Sequence, residues 1–172
     1  MARTRITRGE VEAVFEAFTT GGFSVLMHGG MVRGAPADDF GSHGAIRPFP
    51  QWDGLHFCAE DWQVILIATI EGGDNSFTHQ DADRLLSGTK ITFTLDGVEL
   101  ATDRTAIKRF LDPARFGLDV AYAFQEGRLM PPQELSPGNH TLSVVAAEPG
   151  QPVFTNSITF IIDPAGAGAC AD

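Results

Sequence analysis

The chain has 172 residues and a mass of 18.5 kDa, with 43% hydrophobic and 20% charged residues, so it can build one domain with a real core and is not disordered throughout. A formal net charge of -10 and a pI near 4.8 argue against nucleic-acid binding driven by phosphate neutralisation. No apolar run reaches the roughly 18 residues that a membrane span needs.

The chain opens with Arg3, Arg5 and Arg8, but the continuous apolar stretch of a secretory signal does not follow, so no signal peptide is visible. Thr7 and Glu10 instead have the spacing of a capping box. Val11, Val14, Phe15 and Phe18 then fall at i, i+3, i+4 and i+7. This predicts an amphipathic helix ended by Gly21-Gly22, followed by a short strand over 23–27. Residues 28–61 lack clear periodicity and are rich in Gly, Pro, Asp and His. They read as a long irregular arm whose second half is packed through Trp52, Leu55, Phe57 and Trp62.

From Trp62 the pattern becomes β. The run 64–70 (VILIATI) has strand length and no polar face, which predicts a strand buried on both sides. Thr78 and Asp81 have capping spacing for one or two helical turns. Residues 91–95 alternate strictly, Asp96-Gly97 supplies a hairpin turn with φ > 0 at both central positions, and 98–100 return. Residues 104–110 read as a continuation of that return strand after a break. Asp112-Pro113 with Gly117 reads as a single capped turn. Further strands are expected over 120–124, 140–145 and 153–162, separated by Pro and Gly turns. No helix of crossover length intervenes, so an antiparallel β-sandwich is the expected architecture.

Leu95-Asp96-Gly97-Val98-Glu99-Leu100, with Ser136-Pro137-Gly138-Asn139-His140-Thr141-Leu142-Ser143-Val144, resembles the bacterial immunoglobulin-like modules of extracellular proteins. Ser157-Ile158-Thr159-Phe160-Ile161 resembles their closing strand. The resemblance covers roughly residues 62–163, and its motifs specify turns and strands rather than chemistry. It implies an Ig-like sandwich acting as a stalk, spacer or binding module. The central-strand disulfide and core Trp of antibody-type domains are absent, and the 103–135 stretch is longer than a minimal module needs. The expected organisation is a helix and Gly/Pro/His-rich arm over 1–61, the sandwich over 62–163 and a flexible tail over 164–172.

Several groups of residues could carry chemistry. Cys58 and Cys170 would close a loop of about 110 residues if bonded, a constraint of roughly 4–5 kcal/mol in the chain-entropy picture, and would place the chain in an oxidising compartment. Two unrelated thiols are the alternative. His28, His43 and His56 with Asp39 combine imidazole and carboxylate and form the candidate set for a divalent metal, although their spacing matches no metal motif. A solvated polar loop explains the same residues, and no other cofactor is indicated. Arg104, Lys108, Arg109 and Arg115 concentrate positive charge in an acidic chain and are candidate binding residues for an acidic partner. The same charges also serve to keep sheet edges apart. His140, at a strand start, reads as structural.

These readings favour a non-catalytic secreted or surface interaction module with an Ig-like fold, with self-assembly as one use of its apolar helix face. Its partner is expected to be a protein, a glycan or a copy of itself, without nucleic acid or a membrane span, and a cytoplasmic location is the alternative. The rival readings are a small enzyme or metal-binding protein using the His/Asp set of the arm, and an NTF2-like pocket protein, which the opening helix resembles. Convergence of the arm histidines on one site separates these classes.

Overall fold

The computed structural model describes residues 2–17, 24–33 and 42–172. Helix α1 (Arg8–Ala17) precedes a hairpin of β1 (Ser24–Met27) and β2 (Gly30–Arg33). Short strands β3 (Ala45–Ile46) and β4 (His56–Cys58) lead to the long β5 (Gln63–Gly73). Helix α2 (His79–Leu86), hairpin strands β6 (Lys90–Leu95) and β7 (Val98–Glu99), and two-residue strands β8 (Asp103–Arg104) and β9 (Lys108–Arg109) follow. Long strands β10 (Val120–Met130), β11 (Gly138–Ala147) and β12 (Phe154–Asp163) complete the fold. One sheet has the order β2-β1-β5-β10-β8, with β3 also on β5 and β9 also on β10. The second has the order β4-β12-β11-β6-β7. Among the described residues the chain is mainly β, with two sheets and two α-helices.

Strand β5 is buried on both faces, as its unbroken apolar run requires. Ile65 and Ile67 point into the core shared with Phe93, Leu142, Val144, Ile158 and Phe160 of the second sheet. Val64 and Leu66 point the other way, under Val11 and Val14 of α1, while Ala68 and Ile70 pack with Val25, Phe110 and Phe116. The outer face of the first sheet is therefore dry, and α1 forms a third layer upon it.

Polar side chains fix that layer. Both Thr7 and Thr78 begin their helices with the expected capping pairs, Thr7 N–H donating to Glu10 Oε2 at 2.6 Å and Glu10 N–H to Thr7 Oγ1 at 3.3 Å. At the other end of α1, Gln125 from β10 is fully buried and its Nε2 donates to the Val14 and Phe15 carbonyls at 2.8 and 2.6 Å. Lys108 Nζ donates to the Glu16 carbonyl at 3.1 Å. Side chains of the sheet thus serve carbonyls in the last turn of the helix. The Gln125 Oε1 faces the buried Arg47 guanidinium at 3.4 Å. Burial pulls Arg47 down to about 9, so the group is still charged at neutral pH.

The expected Asp96-Gly97 turn forms with φ of 50° and 82°. His140 locks it to β11: Nδ1 lies 2.6 Å from Asp96 Oδ2, Nε2 lies 2.6 Å from the Ser136 carbonyl, and the ring stacks on Phe160. The two sequence segments that carry the immunoglobulin-like resemblance therefore meet through this side chain.

Three features differ from the sequence expectation. The sheets are mixed, because β1 and β3 run parallel to β5 and β4 runs parallel to β12. The described part of 28–61 contributes strands to both sheets and buries Phe49 and Trp52, since only added strands satisfy the backbone groups along β5 and β12. Residues 103–109 pair with β10 in the first sheet instead of continuing the return strand. Replacing Gln125 by Leu leaves the Val14 and Phe15 carbonyls without this partner, and we expect a loss of about 1–3 kcal/mol in urea unfolding. The exposed Thr159→Ala serves as the control and should change stability by about 0.5 kcal/mol or less.

Candidate functional site

A cleft of about 280 Å³ opens where both ends of the chain meet β4. Arg3, Thr4 and Ile6 of the N-terminal segment, His43 and Gly44, and His56 to Cys58 of β4 line it with Asp61, Gln63 and Ala169. Cys58 in its lining is bonded to Cys170, with a Cα–Cα distance of 4.8 Å and a sequence separation of 112. Around it, Arg3 grips Asp61 through two hydrogen bonds of 2.8 and 3.0 Å, and its NH2 lies 3.0 Å from Cys58 Sγ. The Ile6 N–H donates to Asp61 Oδ1 at 3.0 Å, and Trp62 N–H to the Ile6 carbonyl at 3.1 Å. The N-terminal segment is stitched down beside the disulfide.

Asp163, at the end of β12, organises the other wall. Its carboxylate lies 3.0 Å from His56 Nδ1 and accepts from the Ala169 N–H at 2.6 Å. Burial alone would raise this carboxyl, but the Ala169 N–H and His56 together hold it below its ordinary value. Gly168 has φ 51°, and a Cβ there would collide with this carboxylate. The tail is thus fastened by the Asp163 carboxylate as well as by sulfur. With Nδ1 directed at Asp163, His56 leaves Nε2 for the solvent side, and about half of its side chain is exposed.

Two of the three arm histidines, His43 and His56, line this cleft, with His43 held at φ 59° in the turn before β3. His28 does not join them. It sits in the β1–β2 turn beside Glu71, whereas Gly44 abuts Gln63 at the opposite end of β5. Eight residues of strand separate those ends, about 26 Å at 3.3 Å per residue. Asp39 lies outside the described residues. A separate trio, Cys58, Glu60 and Cys170, has its ligand atoms within 4.8 Å of one another, but its sulfurs are bonded to each other.

The candidate basic residues are spread among internal contacts. Arg104 pairs with Glu126 at 3.2 Å, donates to the Thr89 carbonyl and lies over the Phe124 ring at 4.2 Å. Lys108 caps α1, and Arg115 pairs with Asp112 at 2.8 Å. Arg109 is exposed on the sheet edge. Asp61 stands in sequence beside His56, Cys58 and Glu60, but nothing local marks Arg3 or Asp163 as site residues, since only the fold brings residues 3, 61 and 163 to one place.

No family model matches the chain, and no curated protein matches it. Among solved structures, the chain is similar to a cysteine protease inhibitor from Entamoeba histolytica, with 16% identity, a TM-score of 0.35, and coverage of 69% of this chain and 95% of that chain.

The disulfide closes a long loop, so its loss should cost about 2–5 kcal/mol. We expect the Cys58→Ser, Cys170→Ser double variant to unfold at correspondingly lower urea. Tail proteolysis should rise in the same variant, whereas an unchanged midpoint would mean that Asp163 and the N-terminal stitching suffice.

Proposed function

We propose that the chain is a non-catalytic interaction module of an oxidising, extracellular setting, built on an Ig-like pair of sheets, that presents the face around His43 and His56 to a protein partner. The observation that carries this reading is the Cys58–Cys170 bond. Such bonds persist in secreted and surface proteins and are rare where glutathione keeps thiols reduced. The same bond supports a non-catalytic role, because it ties up the two sulfurs that would otherwise stand near His56 as nucleophile or metal ligands. Asp61 and Asp163 are likewise engaged by Arg3 and by His56 with Ala169.

The choice of face follows from which polar groups have work within the fold. Arg104, Lys108 and Arg115 are held by Glu126, the Glu16 carbonyl and Asp112, which weakens the basic face as a docking surface. His43 and the outer edge of His56 are exposed at the rim of a concave surface. A foreign partner is favoured over a second copy because the edge strands are short, four residues in β2, three in β4 and two each in β7, β8 and β9, which makes them poor templates for edge-to-edge pairing.

A photo-crosslinking residue placed at His43, compared with one at Arg109, tests this in the organism that makes the protein. We expect a discrete protein adduct from position 43 and none from 109, on protein recovered without free thiols. Free thiols in the recovered protein, or equal adducts from both positions, would overturn the reading.

A further inference from the structure

The β1–β2 turn braces one end of the molecule across both sheets. Strand β1 meets β5 over only two register pairs, Val25 with Ala68 and Leu26 with Thr69. Beyond them the turn reaches the second sheet, where a Cβ on Gly29 would come 2.7 Å from the Pro152 carbonyl in the β11–β12 connection. His28 and Gly29 have φ of 51° and 73°, the conformation a two-residue hairpin demands. This geometry aims two consecutive N–H groups at two carboxyls, one from each sheet. The His28 N–H donates to Glu71 Oε1 on β5 at 3.3 Å. The Gly29 N–H donates to Glu148 Oε2, just past the end of β11, at 3.0 Å.

Both carboxyls are costly to ionise where they stand. Glu71 is 3% and Glu148 6% exposed. The buried hydroxyls of Thr69 and Thr89 make no hydrogen bond, so neither serves a carboxylate, and Glu148 Oε1 is also buried without one. Burial is the largest influence on each group and pushes both carboxyls above their ordinary value, and the Glu148 charge pushes Glu71 further the same way. The turn N–H groups and His28 oppose this, with His28 Nε2 paired to Glu71 Oε2 at 3.4 Å.

Other titratable groups border the pair. Tyr122 of β10 is the cross-strand neighbour of Glu71, and His79 of α2 lies edge-on to its ring at 5.2 Å. Arg109 opposite Tyr122, Lys90 opposite Ala147, and Asp83 and Arg84 on α2 are all exposed, and Arg84 is held by Asp81.

We propose that the β1–β2 turn is a pH-controlled latch between the two sheets, closed while Glu71 and Glu148 hold their protons and released as they ionise. In the closed state the carboxyls keep protons that they shed above about pH 4.5 once exposed to water. Closure is therefore strongest in acid and weakens as pH rises from there through the raised values of the closed state. Each titrating carboxyl steepens opening by at most about tenfold per pH unit. Release uncovers the core end at Thr69 and Thr89 and frees the hairpin, but leaves the β5–β10 ladder intact. The latch is separate from the His43–His56 cleft and does not depend on the partner reading.

Amide hydrogen exchange of the disulfide-intact protein, followed residue by residue from about pH 4.5 to about pH 8 and corrected for the intrinsic rate, tests the latch. We expect protection of the His28 and Gly29 amides to fall by about tenfold over this range, while amides of the β5–β10 ladder keep theirs. Glu148→Gln keeps an acceptor for the Gly29 N–H but cannot ionise, so the fall should become shallower. Adding Glu71→Gln should flatten it. His28→Asn tolerates the positive φ, keeps the backbone donor and removes the charge that favours ionisation, so the fall should move to higher pH. Turn protection that ignores pH, a fall unchanged in Glu148→Gln or moved to lower pH in His28→Asn, or ladder amides that lose protection in step with the turn would each overturn the latch.

Discussion

Burial of β5 on both faces is the constraint from which the rest of the molecule follows. Nine consecutive residues from Gln63 to Glu71 are buried, and apolar area of that kind is worth about 25 cal/mol per Å² only if both sides are covered. The second sheet covers one side. The other needs α1, the β1–β2 hairpin and the segment from Phe110 to Phe116, drawn from sequence on either side of the strand. A sandwich made of residues 62–163 alone would leave Val64 and Leu66 without the cover of α1, and Ala68 and Ile70 covered by Phe110 and Phe116 but not by Val25.

Covering that face brings the N-terminal segment to the place where β4 and the tail also end. Arg3, Asp61, Asp163 and the disulfide then act as one fastening, and the cleft lined by His43 and His56 is a by-product of bringing both ends of the described chain together. The opposite end of β5 has the converse problem. There the inward period runs out of apolar residues at Thr69 and Glu71, and buried polar atoms without hydrogen bonds accumulate under a tight turn. One end of the core is closed by bonds within the chain. The other keeps buried oxygens without hydrogen bonds, among them Thr69 Oγ1 and Glu148 Oε1.

Local signals were legible in the sequence because they act over a few residues. The capping pairs at Thr7 and Thr78, the Asp96-Gly97 turn and the doubly buried run need only neighbouring side chains to declare themselves. The structural role of His140 and the Cys58–Cys170 pair also appear in the fold. What escaped was set by long-range pairing. The two residues of β3 and three of β4 carry too little pattern to be read as strands, yet they add parallel partners to both sheets. Asp163, 107 residues from His56, and Glu148, 119 residues from Gly29, had no local mark as site residues. The histidine set was grouped by nearness in sequence, and β5 holds His28 and His43 at its two ends.

The first sheet cannot stand without its third layer. Urea unfolding of the Val11→Asp, Val14→Asp double variant tests it most directly, because these two residues are fully covered against Val64 and Leu66. Burying two unpaired carboxylates or lifting the helix away should each remove several kcal/mol. The cooperative transition should be lost, or its midpoint shifted far to low urea, with β5 amides exchanging freely. A midpoint close to that of the parent protein, with β5 amides still protected, would mean that the helix is an appendage and that the first sheet stands without it.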